Sequence, residues 1–182
     1  MIILLGAPGS GKSTQGQMLV DRGKVRWISM GEILRQNIKG KNLEHMKLGK
    51  LLDSNEVIQT LNEALQKLGD KPKLILDGFP RSVDHAKWLL NQKNQGKINI
   101  SAMINLFVEE SIVKQRLMNR GRLDDNLEVV TDRYKIYIDA IWPITELFKN
   151  NKIPVIQINA SKTKIAIGRD IIKGLLDLNI CV

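Results

Sequence analysis

A chain of 182 residues suits one domain, and a fold of this size buries roughly 70% of the surface that its unfolded form exposes. With 43% apolar and 26% charged residues it is too apolar for a disordered segment, while no apolar run nears the ~20 residues of a membrane helix. The net charge of +9 fits phosphate ligands better than nucleic acid, because the lysines are scattered without interleaved aromatics; the lone Cys181 excludes an internal disulfide and a cysteine zinc site and points to a reducing compartment.

The first apolar run, Ile2 to Leu5, is cut short by Gly6, Pro8 and Gly9 and has no positive region before it. It reads as a buried strand, and no secretory leader is expected. The run leads into Gly6-Ala7-Pro8-Gly9-Ser10-Gly11-Lys12-Ser13, which fits GxxxxGK[ST] at every position, and then into a helical pattern over Thr14 to Val20. Strand, glycine turn and helix in that order make a phosphate cradle. Glycines let successive N–H groups face one anion, and the helix N-terminus adds a favourable dipole. Lys12 would reach the β and γ phosphates, and Ser13 offers the hard oxygen that Mg2+ prefers. ATPases, GTPases and small-molecule kinases all use this motif, so it leaves the acceptor open.

A second strand is expected at Val25 to Ser29. Gly31 to Leu68 is longer than one crossover helix requires and carries turn signals at Gly40 to Asn42, Asp53 to Asn55 and Gly69 to Pro72, so it reads as a small helical insertion. Further strands are expected at Lys73 to Asp77, Ala102 to Val108 and Pro154 to Asn159. Asp125 with Glu128 resembles a capping box that starts a helix near Asn126, with a kink or break at Pro143. Alternating strands and helices predict right-handed crossovers and a parallel sheet covered on both faces. Ligands should gather at the C-terminal strand edge, where Gly6, Ser29, Asp77 and the residues after Val108 emerge.

Three more segments bear on the acceptor: Ile28-Ser29-Met30-Gly31-Glu32-Ile33-Leu34-Arg35, Leu76-Asp77-Gly78-Phe79-Pro80-Arg81 and Arg120-Gly121-Arg122-Leu123-Asp124-Asp125-Asn126. In order and spacing, with Gly6 to Gln15, they resemble the adenylate kinase family over nearly the whole chain. The resemblance implies a P-loop NTPase-type three-layer α/β/α sandwich with a five-stranded parallel sheet. Residues 1–182 would form one kinase domain, with an acceptor-binding insertion at about 29–58 and a vestigial lid at about 120–125. It also implies reversible, Mg2+-dependent phosphoryl transfer from ATP to AMP, giving two ADP.

By the same resemblance, Gly9, Ser10, Gly11, Lys12, Ser13, Thr14, Arg116 and Arg120 serve ATP. Met30, Arg35, Val57, Ile58, Gly78, Arg81, His85, Arg122 and Arg133 serve the acceptor monophosphate, Arg133 falling eleven residues after Arg122 as the family's last catalytic arginine does. Lys12, Arg81, Arg120, Arg122 and Arg133 form the catalytic set, while Ser13 and Asp77 hold Mg2+, Asp77 through a bound water. Such an arginine density has a chemical reason: two polyphosphates must meet, and a loose transition state spreads charge over equatorial oxygens. Plainer roles exist for single members. Arg116 alone would be a solvated helix residue, and Asp124 and Asp125 could simply cap a helix. A cytoplasmic monomer acting on small nucleotides is expected, without zinc, membrane or nucleic acid.

Three positions depart from the family pattern. Only Gly121 separates Arg120 from Arg122, so almost nothing remains of the lid between them. His85 stands where the family has a glutamine that pairs with the acceptor base, and an imidazole presents one edge nitrogen at a time. Met30 replaces a threonine near that base. The loop Asn159-Ala160-Ser161-Lys162 lacks a glycine common there, so only backbone contact with the donor base is expected. AMP leads as acceptor. UMP, CMP or another monophosphate is the alternative, and a P-loop regulatory protein without transfer activity is the rival from another class.

Overall fold

Five short apolar runs pair into one parallel sheet in the computed structural model, which describes residues 1–23, 25–37, 45, 48, 52–68, 73–120 and 126–181. The strands are β1 (Ile2–Gly6), β2 (Val25–Ser29), β3 (Lys73–Asp77), β4 (Ala102–Phe107) and β5 (Val155–Asn159), in the order β2-β3-β1-β4-β5. Each end lies within one residue of its expected place. The described helices are α1 (Lys12–Arg22), α2 (Met30–Asn37), α3 (Ser54–Gln66), α4 (Val83–Asn94), α5 (Glu110–Arg120), α6 (Leu127–Asn150) and α7 (Lys164–Leu176).

Strand side chains alternate in direction, and here both directions lead into apolar core. Ile3, Leu5, Leu76 and Met103 face a layer that includes Leu34 of α2, Leu61 of α3, Leu89 of α4 and Phe148 of α6. Ile2, Leu4, Ile75 and Ile104 face the opposite layer, with Leu19 of α1, Val113 of α5 and Ile171 of α7. This is the three-layer α/β/α sandwich of a P-loop fold. Helix α6 belongs to both layers: Val130 near its start packs on the second and Ile144 and Phe148 on the first. Its 24 residues reach about 36 Å, enough to cross the end of the sheet.

Local chemistry explains where several helices begin. The Asp53 carboxylate accepts from the N–H groups of Asn55 and Glu56, so the Asp53–Asn55 turn signal is the N-cap of α3. Asn126 Oδ1 accepts from Val129 N at 2.9 Å and caps α6, one residue beyond the expected Asp125, which lies outside the described residues. The expected break at Pro143 is corrected: α6 runs through it to Asn150. A mid-helix proline costs about 3 kcal/mol. Burial of Ile144, Thr145 and Phe148 just beyond it offsets that cost, and the carbonyl freed four residues earlier belongs to exposed Asp139.

The strand register aligns one functional edge. Ser29 pairs with Asp77, Leu4 with Asp77, Gly6 with Leu106 and Phe107 with Asn159, so the five loops that follow open on the same side. Among the described residues, no helix is long and apolar enough to cross a membrane.

Candidate active site

The loop after β1 is shaped by contacts that only glycine permits. A Cβ on Gly6 would stand 2.6 Å from Ser10 Oγ and 2.7 Å from the Leu106 carbonyl oxygen. Gly11, the N-cap of α1, holds φ 95°, where other residues are strained. The turn therefore delivers the backbone N–H groups at the start of α1, those of Lys12, Ser13 and Thr14, toward one concavity. Lys12 Nζ bends back over the loop and donates to the carbonyls of Gly6 and Ala7, each at 2.8 Å.

Asp77 closes the floor of this concavity. It ends β3 with 2% exposure and accepts from Ser13 Oγ at 3.2 Å. Burial raises the pKa of its carboxyl, and the pull of Lys12, the Ser13 hydrogen bond and Arg81 in the other direction does not overcome it. A carboxylate and a hydroxyl side by side, next to a cationic phosphate cradle, are the hard oxygen donors that suit a phosphate-bound Mg2+.

Opposite the cradle, arginines from three elements meet. Arg35 of α2 and Arg81 of the loop after β3 flank Gly31: a Cβ there would lie 3.5 Å from Arg35 Nη1 and 3.6 Å from Arg81 Nη2. Arg81 Nε donates to the Gly78 carbonyl at 2.8 Å, which folds the side chain back toward the strand edge. Arg81 stays open to the cleft, yet its guanidinium lies deep within it. That burial, with the nearby charges of Arg133 and Arg35, lowers its pKa to about 10, while Asp77 pulls it upward. Guanidinium groups from three elements on one wall of the cleft are the kind of side chain that suits a phosphate anion.

The cleft has a volume of about 670 Å³, and its wall includes Pro8 to Gln15, Ser29, Gly31, Arg35, Asp77, Gly78, Arg81, Arg116, Leu117 and Arg133. Gly9, Ser10, Gly11, Lys12, Ser13 and Thr14 thus share one space with Arg35, Gly78, Arg81, Arg116, Arg133 and Asp77. The remaining expected residues lie elsewhere. Met30 and Val57 are buried in the core behind α2 and α3, with Ile58 packed against it. His85 is 3% exposed on α4, its ring stacked on Phe79. The side chain of Arg120, all of Arg122 and the segment 121–125 lie outside the described residues.

The wall also contains residues that the sequence did not single out: Gln15, Leu117, Thr163, Lys164 and Ile167, together with the side chain of Lys162. Thr163 caps α7 by accepting from Ala166 N, and Gln15 Nε2 donates to the Lys164 carbonyl at 2.9 Å, tying the start of α7 to α1. Two signals could have found most of them. Lys162, Thr163, Lys164 and Ile167 follow the fifth strand at the ligand edge, and a threonine there opens the last helix.

A family model for adenylate kinase matches residues 4–153. The chain is 36% identical over 153 residues to an adenylate kinase of Mycobacterium ulcerans, covering 81% of this chain and 84% of that protein. It is 32% identical over 154 residues to an adenylate kinase of Corynebacterium urealyticum, covering 81% and 85%. Against an adenylate kinase of Mycobacterium tuberculosis the identity is 33% over 155 residues, covering 82% and 86%. The chain is therefore a phosphotransferase and belongs to the adenylate kinase family of nucleoside monophosphate kinases.

Proposed function

We propose that this enzyme transfers the γ-phosphoryl group of ATP to AMP, reversibly and with Mg2+, giving two ADP. The observation that carries this reading is the facing of Lys12 and the P-loop by Arg35, Arg81 and Arg133 across one cleft. A single triphosphate would not need a second set of cations beyond its γ-phosphate; an acceptor phosphate would.

In this reading the N–H groups of Gly9 to Thr14 cradle the donor phosphates and Arg116 lies on the donor side. Arg35 and Arg81 hold the acceptor phosphate near Gly78, and the acceptor base lies toward Met30, Val57, Ile58 and His85. Lys12 leaves the loop carbonyls to meet the transferring group, and Arg133 neutralises charge on its equatorial oxygens. Arg120 and Arg122 would add to that neutralisation from the lid at 120–125, while the insertion at 29–58 carries the acceptor. Ser13 and Asp77 would hold Mg2+, Asp77 through water, and the ion supplies charge neutralisation on the donor phosphates. Positioning two substrates in line can account for roughly 7 to 11 kcal/mol of the barrier, so no protein nucleophile is required. We infer a cytoplasmic monomer, the first from the single cysteine and the second from the resemblance.

The test supplies ATP with each nucleoside monophosphate in turn and repeats the best pair with Arg81→Ala. AMP should be the preferred acceptor. The variant should lose about a hundredfold or more in transfer, the scale of one lost transition-state donor, while ATP affinity stays within about twofold. Transfer to no monophosphate would leave the regulatory rival standing, and unchanged transfer in Arg81→Ala would remove Arg81 from the acceptor site.

A further inference from the structure

His85 lies in the first turn of α4, away from the cleft wall, yet both of its polar links run toward Arg81. Its backbone N–H donates to Ser82 Oγ at 3.2 Å, which makes Ser82 the N-cap of α4. Its imidazole Nδ1 accepts from the backbone N–H of Arg81 at 3.3 Å. The pair resembles a capping box displaced by one residue, in which a longer side chain at the third helical position reaches past the cap to the residue before it.

The imidazole is itself held in place. Phe79 stacks on it with centroids 4.7 Å apart and planes 23° apart, and Trp88 packs edge-on against Phe79. Burial, and then the Arg81 charge, lower the His85 pKa to about 4, so the ring is neutral near neutral pH and retains an acceptor lone pair. Because Nδ1 accepts, Nε2 carries the proton, and that atom is buried without a hydrogen-bond partner among the described residues. Arg81 is then fixed at two points, its N–H by His85 and its Nε by the Gly78 carbonyl.

We propose that His85 is the positioning residue of the acceptor-phosphate arginine: by accepting the Arg81 N–H, it fixes the loop that aims the Arg81 guanidinium at the acceptor. The inference rests on the role proposed for Arg81 above. It also changes what His85 can do for the acceptor base. One nitrogen is committed to the loop, and the other can only donate.

His85→Leu keeps the branched shape but removes the acceptor, whereas His85→Asn places an amide oxygen near the position of Nδ1. Losing one net hydrogen bond corresponds to roughly two- to tenfold, so His85→Leu should raise the acceptor KM by about that factor with donor Kd unchanged. His85→Asn should recover most of the loss. In an Arg81→Lys background, His85→Leu should add little, because the group it positions is already altered. Equal damage in the Leu and Asn variants, equal loss of both substrates, or full additivity with Arg81→Lys would overturn the proposal. A harmless His85→Leu beside a damaging Arg81→Lys would sink this inference alone; an unchanged acceptor KM in Arg81→Lys would sink the Arg81 assignment on which it rests. Should His85→Leu fail to fold, 15N NMR of the wild-type imidazoles decides the matter. The chain has two histidines, and His85 should show the Nε2–H tautomer; a proton on Nδ1 would overturn the proposal.

Discussion

Asp77 serves two needs that oppose each other. Its carboxylate stands in the cleft floor beside Ser13, where a divalent cation would favour its charge, but burial raises its pKa above the 3.8 of a free aspartate. The native state therefore keeps the proton to a higher pH than the unfolded chain does. The stability this contributes is fully present below the unfolded pKa and is lost as pH rises through the raised native value. Above the pKa of the unfolded chain, burial of this carboxyl is a net cost to the nucleotide-free protein. Asp77→Asn should accordingly raise the Tm of the nucleotide-free protein around pH 7, with the gain vanishing at about pH 3, where both states are protonated. The same change should lower Mg2+-dependent transfer by roughly ten- to a hundredfold, as loss of an orienting group around a metal commonly does. Thermal melts across pH, set beside transfer assays, check both halves. A Tm that falls at neutral pH would show that the Lys12, Ser13 and Arg81 interactions outweigh burial.

At the scale of elements, α6 carries Arg133 to the wall of the cleft that Arg35 and Arg81 also line. A polar chain pins it there: Tyr137 Oη donates to Asn105 Oδ1 at 2.8 Å, and Asn105 Nδ2 donates to Gln157 Oε1 at 2.9 Å, linking α6 through β4 to β5. Tyr137 lies one turn beyond Arg133, and burial raises its hydroxyl pKa to about 12, so it donates throughout the physiological range. Tyr137→Phe would leave the buried Asn105 oxygen without its donor. A loss of about 1–3 kcal/mol is expected, measurable by urea unfolding, and under the role proposed for Arg133 on the transferring group kcat should fall more than substrate affinity. A variant as stable as the parent would mean that packing alone holds α6.

That polar chain was not legible in the sequence, because nothing local tells Asn105 that Gln157 and Tyr137 will face it. The strands were legible: each is a buried apolar run ended by polar or turn residues, and burial on both faces of a parallel sheet leaves few other places for Ile2 to Leu5 or Leu74 to Leu76. The P-loop was legible for a related reason, since its glycines, lysine and serine are local in sequence and their geometry is set by the backbone. Of the kink or break expected at Pro143, the break does not occur, because the proline's cost is local while the burial of Ile144 and Phe148 that offsets it is tertiary. Gln15 and Lys164 escaped notice because they reach the cleft through a contact between chain segments 149 positions apart.

At the scale of the whole molecule, a kinase for two phosphorylated substrates has to exclude a third reactant, water. The cleft that joins the P-loop to the facing arginines is about 670 Å³ and open at the strand edge. Closing elements normally remove water before the transferring phosphoryl group is exposed to it. In this sequence only Gly121 stands between Arg120 and Arg122, and if that segment is the lid proposed above, little chain remains to close over the donor phosphates while its arginines are kept. Water entering the acceptor side would meet a γ-phosphate already neutralised by Lys12 and Arg133. Slow ATP hydrolysis without acceptor is therefore expected, and it should fall when AMP or a non-reacting monophosphate fills the site beside Arg35 and Arg81. Inserting a few residues at Gly121 should suppress hydrolysis more than transfer. Phosphate release with and without acceptor is the measurement: hydrolysis negligible beside transfer in the parent enzyme would mean that elements other than the lid keep water out.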